Sequence, residues 1–357
     1  MKLFTCTHCG EILYFENTRC AHCGYVTGIV EENNQLSAMS ANIYWAFADN
    51  NNNGYKYCYN HRFDVCNWLV PVFGGSIFCT ACELNRVIPN LQQQQYREYW
   101  QIIERAKHRL IYSLLIMKLP VFSKKQDAKK GLCFDFVAND RNKKIFTGHE
   151  DGLITLNIAE ADDIEREMAR KNMHEPYRTV LGHFRHEVGH YYWDLLIDNS
   201  TNINEYRKLF GDERQDYSTA LKKHYANGAP LNWTDNYISA YATSHPWEDW
   251  AETWAHYLHI MDTLETAYYF GVNVNPLHTK KATMQTHVQN DPYKEQFFQN
   301  IFNQWLPLTY AINSLNRSMG VSDIYPFVIA PAVMQKLSFI HTVCYNQKQK
   351  ALQKQSS

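Results

Sequence analysis

Apolar residues recur near helical spacing from position 92 onward, at Tyr96, Trp100, Ile103, Leu110 and Leu114, until Pro120 stops the pattern. This predicts one long helix, with the glutamine run at 92–95 as its solvated first turn. Two short strand-like segments follow, Cys133–Val137 and residues 153–158, where Ile154, Leu156 and Ile158 alternate with Leu153, Thr155 and Asn157. Beyond this small sheet the chain reads as helical to its end, with breaks at 271–276, at 320–326 and at Pro331. Polar residues 31–40 and the asparagine run at 50–54 predict loops. The tail from 347 to 357 has no apolar periodicity and is expected to be frayed.

The chain has 357 residues, 45% hydrophobic and 14% aromatic, enough for one sizeable core and a smaller satellite. Eight of its ten cysteines lie in roughly the first ninety positions, and this shift in composition marks the expected boundary. The expected class is α+β: a cysteine-rich region at 1–90, a mainly helical domain with a small sheet at 91–345, and a flexible tail at 346–357.

Charge narrows the functional classes. With 35 basic and 36 acidic residues the chain has no net field that would draw it to nucleic acid or an anionic membrane, although a local basic patch stays open. The first residues reach Cys6 before any apolar run suited to a signal peptide, and the most apolar stretch, 110–117, is far shorter than a membrane span. A cytoplasmic protein without a membrane segment is expected. In a reducing compartment the pairs Cys6/Cys9, Cys20/Cys23 and Cys79/Cys82, each with two residues between, favour metal over disulfide.

Cys6-Thr7-His8-Cys9-Gly10 and Cys20-Ala21-His22-Cys23-Gly24 are two copies of one knuckle. The two intervening residues turn both thiols toward one ion, and the trailing glycine permits the positive φ that the turn needs. Together Cys6, Cys9, Cys20 and Cys23 are expected to make a tetrahedral structural zinc site, against the alternative of four reduced, metal-free cysteines, with His8 and His22 exposed. A second cluster offers five candidates, Cys58, His61, Cys66, Cys79 and Cys82. The four cysteines are favoured, against the alternative of a reduced, metal-free group, with Gly74-Gly75 as the turn of a hairpin between the ligand pairs.

His186-Glu187-Val188-Gly189-His190 places two histidines one helical turn apart on one face, where they can share a zinc ion, with Glu187 rotated toward its water. Pro176 lies ahead of this helix, and Gly189 leaves room for another backbone to approach. His183 is about 10 Å of helix rise from His190, too far to share the same ion. A metzincin-type third histidine would sit at 196, where Leu196 stands, with Trp193 in place of the glycine. The third ligand is therefore sought on a second helix opened by Ser244-His245-Pro246, which carries Glu248 and Glu252 on one face. Glu248 is preferred as ligand, with Glu252 accepting the N–H of a zinc histidine, and the reverse assignment stays open. A carboxylate pair at this spacing is commonly solvated, but flanking Trp247, Trp250, Trp254 and Tyr257 argue against that here. His256 and His259 are expected to pack or hydrogen-bond. Tyr237 or, by preference, Tyr241 offers a phenol to a developing oxyanion.

With these residues in view the chain resembles the gluzincin peptidases, and more closely a bacterial family of zinc-binding metallopeptidases with an N-terminal zinc ribbon. The resemblance rests on Cys66-Asn67-Trp68 and on residues 148–156, 177–193, 247–267 and 316–320, and it extends over most of the chain. It implies a zincin-like fold and a peptide substrate of unspecified identity, with residues 153–158 as an edge strand that holds extended peptide. The expected function is hydrolysis assisted by one catalytic zinc on His186, His190 and Glu248, with Glu187 as general base, and one or two structural zinc ions. Its rivals are a zinc-ribbon adaptor that binds protein or nucleic acid through an inactive peptidase-like scaffold, and a protease regulated by its own zinc module.

Overall fold

The short strands of the N-terminal region find their hydrogen-bond partners locally in the computed structural model, which describes residues 2–41, 47–48, 54–139, 145, 147–164, 166, 179–279 and 281–356. β1 (Phe4–Thr5) pairs antiparallel with β2 (Ile12–Leu13) across the first cysteine knuckle. β3 (Val26–Val30), β4 (Gln35–Ala41), β5 (Phe47–Ala48), β6 (Gly54–Tyr57) and β7 (Trp68–Pro71) close into a small barrel. Val30, Met39, Tyr55 and Leu69 form its core.

β4 corrects the loop expected at 31–40. Only 31–34 turns, while Leu36, Ala38 and Met39 are buried against β3. Serine and alanine have weak strand propensity, so pairing rather than local preference makes this strand. The Gly74-Gly75 turn does not close a hairpin either. It leads to Cys79 and the short helix α1 (Thr80–Glu83). The expected asparagine loop at 50–54 lies almost wholly outside the described residues, as does Pro176.

The chain falls into two compact units, one of Met1–Ile116 with Val121–Glu165, the other of Met117–Pro120 with Arg166–Ser357. This division differs from the one expected near residue 90. The long helix α2 (Gln94–Ile116) and the sheet that follows belong with the cysteine-rich part, because α2 buries charged groups against that sheet. Lys107, fully buried, pairs with Glu104 at 2.9 Å and lies over the rings of Phe134 and Phe136.

That sheet has the order β10 (Gly148–Glu150), β11 (Leu153–Asn157), β9 (Cys133–Val137), β8 (Asn85–Val87). β11 is flanked on both sides, so the expectation of an edge strand at 153–158 is corrected. The tight turn at Asp151-Gly152, both at positive φ, folds β10 back onto it. Ile158 already belongs to a 3-10 turn.

The second unit is mainly helical: α3 (Val180–Leu196), α4 (Ile203–Phe210), α5 (Tyr217–Asn227), α6 (Pro246–Tyr269), α7 (Phe298–Ser318) and α8 (Pro331–Ser356). The α8 helix continues through residues 347–356, which corrects the frayed tail, since lysine, glutamine and alanine are good helix formers even without an apolar stripe. A cysteine-rich region of short strands followed by helices and small sheets is the α+β arrangement expected from the sequence. Among the described residues no helix is long and apolar enough to cross a membrane.

Candidate functional site

Helices α3 and α6 carry the candidate site residues of the second unit, and their local sequences fix where each begins. Thr179 caps α3 by accepting the Gly182 N–H at 2.9 Å. His245 caps α6 by accepting the Trp247 N–H at 3.1 Å, and Pro246 opens the helix with the φ it already favours. The two helices cross at Gly189, where a Cβ would stand 3.0 Å from Ala251 Cα. Trp250 Nε1 donates to the Gly189 carbonyl at 2.9 Å and locks that crossing.

This approach brings His186, His190 and Glu248 together, with one ligand atom of each within 4.8 Å of the others and all three residues buried. His186 Nε2 is 3.0 Å and His190 Nε2 is 3.5 Å from Glu248 Oε2. Glu252, one turn on, meets the other side of His186, with Nδ1 2.7 Å from its Oε1. A carboxylate oxygen can only accept there, so Nδ1 carries a hydrogen, and in the neutral ring that a metal requires the lone pair of Nε2 is turned toward Glu248. Ser239 donates to the second Glu252 oxygen at 2.6 Å. Apart from these two imidazole nitrogens, Glu248 Oε2 has no donor among the described residues. Lone pairs converging in a buried place repel one another unless a cation lies between them.

The electrostatics agree. Burial alone would lower His186, yet Glu248 and Glu252 hold it well above its usual range. Burial alone would raise Glu248, yet His190 and His186 hold it well below the usual carboxylate range. Surroundings that favour positive charge on a ring here favour a divalent ion as well.

Glu187 is buried beside this group, with Oε1 4.0 Å from His183 Nε2. The Tyr241 ring lies 6.0 Å from that of His186, whereas Tyr237 is engaged elsewhere, under the Lys336 ammonium. His256 Nδ1 meets Tyr325 OH at 2.6 Å, and His259 meets Arg185, so both serve packing. Sequence reasoning missed Tyr217, whose hydroxyl donates to Glu248 Oε1 at 2.5 Å. Asp216 marks the start of α5, but no short-range spacing links position 217 to 248, 31 residues on.

In the first unit Cys6, Cys9, Cys20 and Cys23 converge within 4.8 Å. Gly10 and Gly24 adopt φ of 77° and 75°, as the knuckle turn requires, and His8 and His22 are exposed. Cys58, Cys66, Cys79 and Cys82 converge in the same way and are all buried. Backbone N–H groups of Trp68 and Cys79 reach the sulfurs of Cys66 and Cys58, each at 3.4 Å. His61 instead donates from Nδ1 to the Cys66 carbonyl at 2.7 Å and stacks on Tyr57.

The sequence matches known families over most of its length. Residues 96–343 match the family model described as "Putative zinc-binding metallo-peptidase", and residues 3–93 match a zinc-ribbon domain. Uncharacterized proteins of Mycobacterium bovis and Mycobacterium tuberculosis are each 41% identical over 344 residues, which is 96% of this chain and 95% of theirs. No solved structure matches the chain. The chain belongs to this family of zinc-binding metallopeptidases with an N-terminal zinc ribbon.

Proposed function

We propose that this chain hydrolyses peptide bonds, with zinc held by His186, His190 and Glu248. The observation that carries the reading is the buried convergence of the three donor atoms, with Glu248 Oε2 facing both imidazole nitrogens. Two histidines and one carboxylate that leave a fourth position open are the donor set of a catalytic zinc rather than a closed structural one. When bound, zinc would supply the positive charge that makes a water acidic at neutral pH and polarises the scissile carbonyl. Glu187 takes the proton of the attacking water and returns it to the amine nitrogen as the C–N bond breaks.

Glu252 acts through His186 by holding its Nδ1 hydrogen, and Ser239 fixes Glu252 in turn. Tyr241 supplies the remaining phenol. Burial and the charge of Glu248 raise it well above the usual tyrosine range, so it keeps its hydrogen for the oxyanion, while the Tyr217 hydroxyl is engaged by Glu248. Each four-cysteine set fits a structural zinc ion, for three ions per chain in all. Eight of the ten cysteines lie in these two metal-type sets rather than in disulfides, which supports a reducing, cytoplasmic setting. The substrate is a polypeptide.

Glu187→Gln should retain three zinc ions by metal analysis and lower peptide hydrolysis by on the order of 1,000-fold. Turnover unchanged in that variant would remove Glu187 from the mechanism. Two ions in the intact chain, neither dependent on His186 and His190, would leave only the ribbon.

A further inference from the structure

The four thiols of the second cysteine cluster have a fifth donor beside them. His108 on α2 is buried, and its Nδ1 lies 2.7 Å from the carbonyl oxygen of Glu104, one turn back in the helix. A carbonyl only accepts, so Nδ1 carries the hydrogen, and in the neutral ring that a metal requires the lone pair lies at Nε2. That atom is 3.6 Å from Cys82 Sγ and 3.9 Å from Cys79 Sγ. Sulfurs that share one zinc at about 2.3 Å stand about 3.8 Å apart, and Cys66 Sγ and Cys79 Sγ are 3.7 Å apart here. His108 Nε2 is thus as close to Cys79 and Cys82 as neighbouring ligands are to each other.

The ring is also held in place. Glu104, whose Oε2 is 3.3 Å from His108 Nδ1, accepts from Trp100 Nε1 at 3.0 Å and from Asn85 Nδ2 at 2.6 Å, and pairs with the buried Lys107. The Trp68 ring meets the imidazole edge-on at 5.6 Å. A histidine that merely filled space would need neither this support nor this tautomer.

We propose that His108 is a reserve ligand of the second cysteine site, able to take the place of Cys79 or Cys82 on the metal. The proposal rests on the reading that these four cysteines hold a metal ion. It makes α2 part of the metal site and allows the ion to stay bound when one of those two thiolates is withdrawn. Its selectivity follows from the contacts: loss of Cys66, on the opposite pair, should not be rescued.

The test uses the full chain reconstituted with cobalt, whose absorption distinguishes four sulfur ligands from three sulfurs and a nitrogen. The first cysteine site serves as internal standard. Cys82→Ala should keep cobalt at the second site, with weaker thiolate charge-transfer absorption and ligand-field bands moved to higher energy. Cys66→Ala and the double variant Cys82→Ala, His108→Gln should lose it. Equal loss from Cys82→Ala and Cys66→Ala would overturn the proposal, as would retention in the double variant.

Should Cys82→Ala not fold, His108→Gln in the four-cysteine chain still decides. Metal leaves one ligand at a time, so removing the reserve ligand should speed stripping by a chelator on the order of 10-fold. An unchanged rate refutes the role. An intact chain that binds no cobalt at Cys58, Cys66, Cys79 and Cys82 would instead overturn the underlying metal reading, and this proposal with it.

Discussion

Gly189→Ala probes the contact on which the candidate active site depends. The added Cβ would stand 3.0 Å from Ala251 Cα, 3.2 Å from Trp254 Cβ and 3.2 Å from Trp254 Cδ1. Carbon atoms in good contact are about 3.5 to 4.0 Å apart, so α3 and α6 must separate by roughly 0.5 Å at this point. Overpacking of this kind costs about 1–3 kcal/mol, while alanine in place of a helical glycine returns about 1 kcal/mol of helix propensity. The net loss in stability is then small, about 0–2 kcal/mol.

Metal binding is the sharper readout. His186 and His190 flank Gly189 and face Glu248 on the other helix, and a metal site tolerates only about 0.2 Å of error in its ligand distances. Zinc affinity, read by chelator competition, should therefore fall much further than urea stability does. Gly189→Val adds more bulk at the same crossing and should reach the upper end of the strain range in stability as well. Gly148→Ala, on strand β10 with nothing within 4 Å of its Cβ, controls for adding a methyl group without a clash. An alanine variant that is more stable than the parent by about 1 kcal/mol, with zinc affinity unchanged, would show that the propensity gain acts alone and that the helices are not in limiting contact.

Other perturbations separate the supporting groups. Glu252→Gln should weaken zinc binding by about 10- to 100-fold while Glu248→Gln removes it, as measured by competition with a chromophoric chelator; the reverse order would exchange their roles. Burial lowers the folded pKa of His256 to about 4, against an ordinary value of 6.5. The unfolded chain thus binds the extra proton first: stability is intact above pH 6.5, declines as pH falls, and levels off near pH 4 after losing roughly 3 kcal/mol. His256→Gln should flatten that part of the urea-stability profile relative to the parent, and an unaltered slope would exclude His256 as its source. Lys336→Met strands the buried Asp249 carboxylate, 2.6 Å from Lys336 Nζ, and should cost about 3–5 kcal/mol; Asp249→Asn in the same chain should recover most of it.

How far the sequence carried depended on whether the signal was local. The knuckles were legible because two intervening residues and a trailing glycine suffice to form the turn, and Gly10 and Gly24 adopt the positive φ expected of them. The helical pattern at 96–114 and the strand Cys133–Val137 were legible because their periodicity is carried by large apolar residues. β4 was not, since serine and alanine side chains show little preference until β3 is beside them. Nor was the interior position of β11, because strand order depends on which chains pair, and alternation along one strand says nothing of its neighbours. Tyr217 and His108 escaped for a related reason. Each meets its partner across some thirty residues of chain, where no fixed spacing operates.

The choice between Glu248 and Glu252 shows where sequence spacing stops and rotamer geometry begins. Both lie on one face of α6, and both can reach His186, so their spacing alone leaves either one free to be the third ligand. What separates them is which nitrogen each meets. Glu248 faces Nε2 of His186 and of His190 together, whereas Glu252 meets only Nδ1 of His186. On the proposed reading the first position would share an ion with both rings, and the second would set which nitrogen of His186 keeps its hydrogen. The Tyr217 hydroxyl sharpens the division by engaging Glu248 Oε1, leaving Oε2 as the oxygen turned toward the imidazoles. On the proposed reading one carboxylate would hold metal and the other a proton, although the sequence offers them as equals.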